Sequence, residues 1–245
     1  MIFLQANKKE FPHMTLIGYG EGNFEDYKCG GSLISKQWVL SAAHCSMSQR
    51  QGPAKHIKLD GIQRLEMEPC TRIFSIVSII EYPSYKMSNV EHDIALFKMN
   101  QPAIFNAYIL PICLPQVHDP PKTNVIACGW GSTGFATEMS PALMHVLLEK
   151  FNTSVCEAYF QGEDEFEKTN YTNIICAGSN QYKDTCQGDS GSPIQYYHPK
   201  TYCMYTIAGI TAHGTSFCGK SAGGAIYTKV LNYLDWIEDT VWPVK

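Results

Sequence analysis

The sequence predicts an all-β protein, a sandwich or a pair of barrels, on three observations. Short apolar segments recur along the whole chain, 19 glycines and 13 prolines punctuate its 245 residues, and helical periodicity surfaces only near the C-terminus. In chain order, apolar and β-branched runs bounded by turn residues place strands at Met14–Tyr19, Gly31–Ile34, Trp38–Leu40, Ile73–Ile80, Ile94–Phe97, Val125–Ala127, Leu143–Leu148, Tyr205–Ile210 and Ala225–Val230. Ile73–Ile80 is apolar on both faces apart from two serines, as in a closed or double-covered sheet. A short helix is expected at Ser154–Phe160. Val230, Leu234, Ile237 and Val241 share one helical face, which makes a terminal helix with Asn232 as N-cap and an end near Trp242-Pro243.

Composition excludes several classes. With 44% hydrophobic and 17% charged residues the chain can build a large core and is not a solvating, disordered one. No linker, repeat or charge block marks a boundary, so residues 1–245 are read as a single domain. A formal net charge of −4 argues against a nucleic-acid partner. No apolar stretch is long enough to span a bilayer; the uncharged run Thr201–Gly219 is broken by Gly, Thr and His. Ten cysteines point to an oxidising, extracytosolic compartment, although the apolar opening Met1–Leu4 is too short for a secretory signal.

Three motifs carry chemistry. In Asp184-Thr185-Cys186-Gln187-Gly188-Asp189-Ser190-Gly191-Ser192-Pro193, glycines flank a serine as an exposed nucleophile on a tight turn requires. A structural turn could hold the same residues. In Ser41-Ala42-Ala43-His44-Cys45 a histidine sits among small residues beside a cysteine, the setting of an oriented general base; a lone histidine there is more often a satisfied core residue. In Glu91-His92-Asp93-Ile94 an acid opens an apolar strand, which alone reads as a cap. Together they supply the nucleophile, base and orienting acid of covalent catalysis.

With these motifs the chain resembles the trypsin-like serine proteases of the chymotrypsin family, from about Phe11 to the final helix. Cys29-Gly30-Gly31-Ser32-Leu33-Ile34, Pro111-Ile112-Cys113-Leu114-Pro115 and Cys128-Gly129-Trp130-Gly131 match further stations. Phe11-Pro12-His13-Met14 and Tyr202-Cys203-Met204-Tyr205 look most like insect extracellular cascade (clip-type) protease domains. The resemblance implies two six-stranded antiparallel β-barrels with the site between them and a C-terminal helix. His44 would be the general base, Asp93 its orienting acid and Ser190 the nucleophile, with the amides of Gly188 and Ser190 as oxyanion hole. Asp184 matches the acid that selects Arg or Lys before the cut, and His213, Gly214 and Ala225 match substrate-binding positions. The implied disulfides are Cys29–Cys45, Cys156–Cys176 and Cys186–Cys218. Cys128–Cys203 is expected as a fourth pair and Cys113 matches the tether of a pro-segment in multi-segment relatives; no partner is assigned to Cys70.

Departures from the family pattern are equally legible. Relatives are activated by a new N-terminal ammonium, usually of Ile-Val-Gly-Gly, which inserts beside the acid preceding the serine, here Asp189. That start is absent, so residues 1–10 are read as not the native mature start, and the chain as written is expected to be zymogen-like with a loosely held Gly188–Ser190 turn. Ala212 and His213 replace a serine and an aromatic residue, Ala225 a glycine, and Ser192 a glycine. The calcium loop of some relatives is not recognisable between Lys58 and Glu81, where Glu66 and Glu68 are too few and too close together; no metal and no cofactor are expected. The implied function is a secreted, monomeric serine endopeptidase cutting after Arg or Lys in an extracellular cascade. Its expected partners are protein substrates and serpin-type or other protease inhibitors, with no nucleic acid or membrane. The rival is a non-catalytic homologue acting as an adaptor or cofactor. Asn152 and Asn170 head acceptor sequons for N-glycosylation.

Overall fold

The computed structural model describes residues 3–21, 26–116, 123–134, 137–162, 166, 169–179, 185–198, 205–214 and 224–243. Strands dominate them. After β1 (Leu4–Gln5) come β2 (Met14–Gly18), β3 (Tyr27–Leu33), β4 (Trp38–Ser41), a small hairpin β5 (Met47–Ser48) and β6 (Gly52–Pro53), then β7 (His56–Leu59), β8 (Arg72–Glu81) and β9 (Ala95–Met99). The second half contributes β10 (Asn124–Gly129), β11 (Met144–Phe151), helix α1 (Thr153–Tyr159), β12 (Ile174–Gly178), β13 (Pro193–Tyr197), β14 (Tyr205–His213), β15 (Ala225–Lys229) and helix α2 (Leu234–Val241).

The strands close into two antiparallel barrels. The first runs β2-β3-β4-β9-β8-β7 and returns to β2. In the second, β11-β10-β13-β14-β15-β12 closes through β11–β12 pairing at Glu149↔Gly178, and β1 adds to β11 outside the ring. Closure removes the free edges that antiparallel sheets must otherwise protect. Inward residues such as Ile17, Leu40, Ile57 and Phe97 are wholly buried, each worth about 1.5–3 kcal/mol relative to exposure. The same cluster takes in Ile207 and Ile210 of β14 and Ile237 of α2, so the terminal helix is clamped onto the first barrel. On β8 the outward Ile73 and Val77 remain exposed, as a barrel's convex face allows.

Several local expectations change in the assembled molecule. The terminal helix begins as a 3₁₀ turn, Val230–Tyr233, and Asn232 does not cap it. Its amide instead donates to the Thr172 carbonyl and to Asn173 Oδ1, a bond across space that outcompetes a local cap. Asn152 does cap α1, its Oδ1 accepting from the Ser154 N–H at 3.1 Å. Cys29–Cys45 and Cys156–Cys176 are formed. Cys186 is also disulfide-bonded; Cys203 and Cys218 lie outside the described residues. The Cys128–Cys203 pair is corrected: Cys128 is a free, buried thiol whose sulfur accepts from Gln195 Nε2 at 2.9 Å. Cys113, expected as an external tether, is itself disulfide-bonded, and its backbone pairs with Tyr205 and Ile207 along β14. Cys70 is free.

The barrels touch where β3 meets the Ser190 turn. A Cβ on Gly30 would collide with Ser192 Oγ and stand 3.0 Å from Ser192 Cβ. We expect Gly30→Ala to lower Tm by about 5 °C and Gly30→Ala/Ser192→Gly to recover most of it, because the obstruction is that side chain. Equal losses in the single and double variants, read by calorimetry, would contradict this account of the seam.

Candidate active site

His44 stands on the 3₁₀ turn Ala43–Ser46 that follows β4. The Cys29–Cys45 bridge fastens the next residue to β3, which fixes the direction of the imidazole. Asp93 reaches it from the loop before β9. Oδ1 accepts the His44 backbone N–H at 2.9 Å, and Oδ2 lies 2.6 Å from Nδ1. A carboxylate only accepts, so Nδ1 carries the proton and Nε2 keeps a lone pair for another donor. Asp93 is buried, and its own carbonyl accepts from Thr228 Oγ1 of the second barrel at 2.9 Å. Burial pulls the His44 pKa down, but the charge and hydrogen bond of Asp93 push harder, and the net shift is upward.

The geometry of Asp93 owes much to a residue that the motif did not flag. His92 has φ +59, in the left-handed region. It stacks on Tyr82 with ring centroids 5.1 Å apart, and its Nδ1 is 3.0 Å from the Tyr233 hydroxyl. This clamp turns the chain so that Asp93 faces inward while His92 lies against the 3₁₀ turn before α2. The sequence signal was present, since histidine tolerates positive φ better than bulky apolar residues.

Ser190 is held by its backbone. Its carbonyl accepts from Gly30 N–H at 2.8 Å, and Gly191 N–H donates to the Thr211 carbonyl at 2.9 Å. Gly191 has φ +77, and a Cβ there would collide with Ser41 Oγ and stand 2.6 Å from the Gly30 carbonyl. Ser190 is thereby pressed against the segment that turns into His44. Among the described residues Ser190 Oγ makes no hydrogen bond, that to His44 included, and the N–H groups of Gly188 and Ser190 have no acceptor. Gly188 supplies the bend at φ +99.

Asp189 anchors the turn from beneath. Oδ1 accepts from Gly131 N–H at 2.8 Å and Oδ2 from Cys186 N–H at 2.9 Å. Gly129 and Gly131 are required there because a Cβ on either would run into the carboxylate. Burial dominates and lifts the Asp189 pKa to about 6, with the two amides pulling the other way. Asp189 thus meets the turn through these two amides.

The comparisons agree with this architecture. A family profile described as Trypsin matches residues 3–237. The chain belongs to the trypsin family. It is 36% identical over 234 residues to serine protease snk of Drosophila melanogaster, covering 93% of this chain and 53% of that protein. Anionic trypsin of Canis lupus familiaris is 35% identical across 87% of the chain and 79% of its own length. Serine protease Hayan of Drosophila melanogaster is 31% identical, with 98% and 38% covered. The chain thus spans about half of one Drosophila relative and less of the other. The solved structure of neuropsin, a serine protease expressed in the limbic system of mouse brain, matches with TM-score 0.80 at 26% identity over 98% of both chains.

The other positions of this trypsin-family chain are distributed as follows. His213 is half-buried and stands edge-on to Phe160 and Phe166, at 5.7 and 5.2 Å between centroids. It shares a cavity with His44, Tyr85 and Val90. Gly214 follows it, with room for a Cβ 3.4 Å from the Thr185 carbonyl. Ala225 is wholly buried among Val125, Val146 and Ala177 in the core of the second barrel. Asp184 lies outside the described residues.

Two titrations test the electrostatics. His44 should titrate above its ordinary 6.5 by NMR and below it in Asp93→Asn, where burial acts without the opposing charge; an unchanged titration would detach Asp93 from His44. Asp189 binds its proton more tightly folded than unfolded. Its contribution to stability is therefore complete below its ordinary 3.8 and is lost as pH rises through about 6, by on the order of 2–3 kcal/mol. Urea midpoints at pH 4 and pH 7 should differ less in Asp189→Asn than in the parent, and equal differences would refute the buried carboxylate's role.

Proposed function

We propose that this chain is a serine endopeptidase that cuts peptide bonds after Arg or Lys. The observation that carries the reading is the Asp93 carboxylate holding the backbone N–H and Nδ1 of His44 while Nε2 stays free, together with a serine turn whose two amides have no acceptor among the described residues. Ser190 Oγ attacks the substrate carbonyl while His44 Nε2 accepts the hydroxyl proton. Asp93 keeps Nδ1–H in place and stabilises the imidazolium. The carbonyl oxygen, now an oxyanion, receives the N–H groups of Gly188 and Ser190, each such donor worth ~10²–10³-fold in turnover. His44 then protonates the leaving amine, and water repeats the sequence to release the acid and restore Ser190. Asp184, by its match to the family motif, selects the cationic side chain. The family membership and the formed disulfides support a secreted, monomeric protease acting on protein substrates in an extracellular cascade and restrained by serpin-type or other inhibitors.

The unbonded Ser190 hydroxyl favours a second reading, a non-catalytic homologue serving as adaptor or cofactor. In apo sites this bond often tightens only when substrate binds, so the catalytic reading stands ahead. One experiment separates them. An organofluorophosphate should label the chain once, at Ser190, when it carries a free Ile-Val-Gly-Gly N-terminus, and Ser190→Ala should abolish both labelling and hydrolysis of Arg and Lys peptides, leaving ~10³–10⁴ over water. Asp184→Ser should shift cleavage toward apolar residues. No labelling of that activated form supports the adaptor, and labelling elsewhere overturns the assignment of Ser190.

A further inference from the structure

The two sequons, Asn152-Thr153-Ser154 and Asn170-Tyr171-Thr172, play no part in the proposed reaction, and both asparagines are exposed. N-glycosylation joins Nδ2 of such an asparagine to C1 of a sugar supplied as a lipid-linked oligosaccharide pyrophosphate. The C1–O bond to the pyrophosphate breaks, and the amide gives up one proton. Oδ1 and the second N–H of the amide remain in the product, and the triplet is an acceptor by virtue of the hydroxyl two residues on. A folded chain therefore carries the glycan without loss where Nδ2 has no internal partner and Oδ1 keeps its own bonds.

Asn170, between α1 and β12, meets these terms. Its Oδ1 accepts the Thr172 N–H at 3.1 Å and the Thr172 hydroxyl at 2.8 Å. The hydroxyl that the sequon requires thus lies on the acceptor amide itself, and Nδ2 has no partner among the described residues. The backbone on either side is fastened, since Asn170 N–H donates to the Glu91 carboxylate and the Thr172 carbonyl accepts from Asn232 Nδ2 at 3.0 Å. Asn152 differs. Its Oδ1 accepts only the Ser154 N–H, and its triplet is wound into the first turn of α1, where Cys156 is bridged to Cys176. That asparagine serves as a cap.

The position of Asn170 gives a glycan a consequence. Glu91, which takes its N–H, stands just before Asp93, and the adjoining Asn89 and Val90 line the cavity that holds His44 and His213. Val90 is clustered with Phe160, Phe166 and Ile174, and Tyr171 packs against that cluster. A glycan on Asn170 stands beside the 85–91 rim of the proposed active site. Bulk there obstructs a ligand as broad as a protein and leaves a small molecule unhindered.

We infer that Asn170 carries an N-linked glycan and that this glycan screens one rim of the cleft from protein ligands. The first part needs only passage through the oxidising compartment in which Cys29–Cys45 and Cys156–Cys176 form. The second rests on the proposed function.

The full chain is secreted from cultured animal cells behind a secretion signal and treated with peptide-N-glycosidase, which leaves an aspartate where a glycan stood. Peptide masses should show that aspartate at position 170 and an unmodified Asn152. Asn170→Gln and Thr172→Ala should each abolish the glycan, while Thr172→Ser, which keeps the hydroxyl, should retain it. The parent and Thr172→Ser decide the assignment even if Asn170→Gln does not fold. An unmodified Asn170, or a glycan on Asn152, would overturn it. With a free Ile-Val-Gly-Gly N-terminus, the glycosylated and deglycosylated chains should react with an organofluorophosphate at the same rate. A protein inhibitor of serine proteases should associate about threefold faster, or more, with the deglycosylated chain. Equal association rates would overturn the screen. If neither chain reacts with the organofluorophosphate, the proposed function fails and the screen with it, while the peptide masses still decide the glycan.

Discussion

Gly191 places its α-carbon against Ser41 and the Gly30 carbonyl, at a distance that admits no side chain, and the relative placement of the two barrels depends on that contact. On one side lies the strand that runs into the His44 turn; on the other lies the turn that presents Ser190. Hydrogen bonds from Gly30 to Ser190 and from Gly191 to Thr211 lock the approach. Close packing of this kind transmits small displacements rather than absorbing them. The candidate residues are therefore registered by backbone atoms, which cannot adopt other rotamers.

Three buried charges, Asp93, Asp189 and Lys58, are each kept by a different means. Asp93 is matched to an imidazole that can become a cation, so its charge is useful when His44 accepts a proton. Asp189 has two neutral amides, which offset part of its desolvation and leave its pKa raised. Lys58 is surrounded by carbonyl dipoles and nearby acids. Isolated charges in such surroundings cost several kcal/mol, so each set of partners is a structural requirement.

The C-terminal helix has a similar connection to the opposite side of the site. Ile237 anchors it in the core of the first barrel, and Tyr233 and Trp236 meet Tyr82 edge-on at 4.9 and 5.4 Å. Tyr82 in turn stacks on His92, whose left-handed backbone directs Asp93 inward. Packing far from the cleft thus reaches the orientation of His44 through one residue of unusual conformation. A positive φ in a non-glycine residue costs on the order of 1–3 kcal/mol and persists where its surroundings over-determine it.

Alternation of apolar residues made most strands readable, and the His44, Asp93 and Ser190 motifs made the chemistry readable, because both are properties of near neighbours in the chain. His56–Leu59, Ile174–Gly178 and Pro193–Tyr197 are not marked in this way, the first for its brevity and mixed polarity, the second because it is short and apolar without alternation, the third because it opens on a proline that is tolerated only at the start of a strand. Side-chain type and spacing determined the all-β class, the short helix near Ser154–Phe160, the helical face of α2 and the residues able to act as nucleophile, base and orienting acid. Only the tertiary structure decided which strands close each barrel, that Cys113 rather than Cys128 is disulfide-bonded, that Asn232 bonds across space, and that Lys58 is buried against carbonyls. A disulfide needs its α-carbons within about 4.4–6.8 Å and a hydrogen bond needs its atoms nearer still, and such distances between remote segments exist only after the barrels have closed.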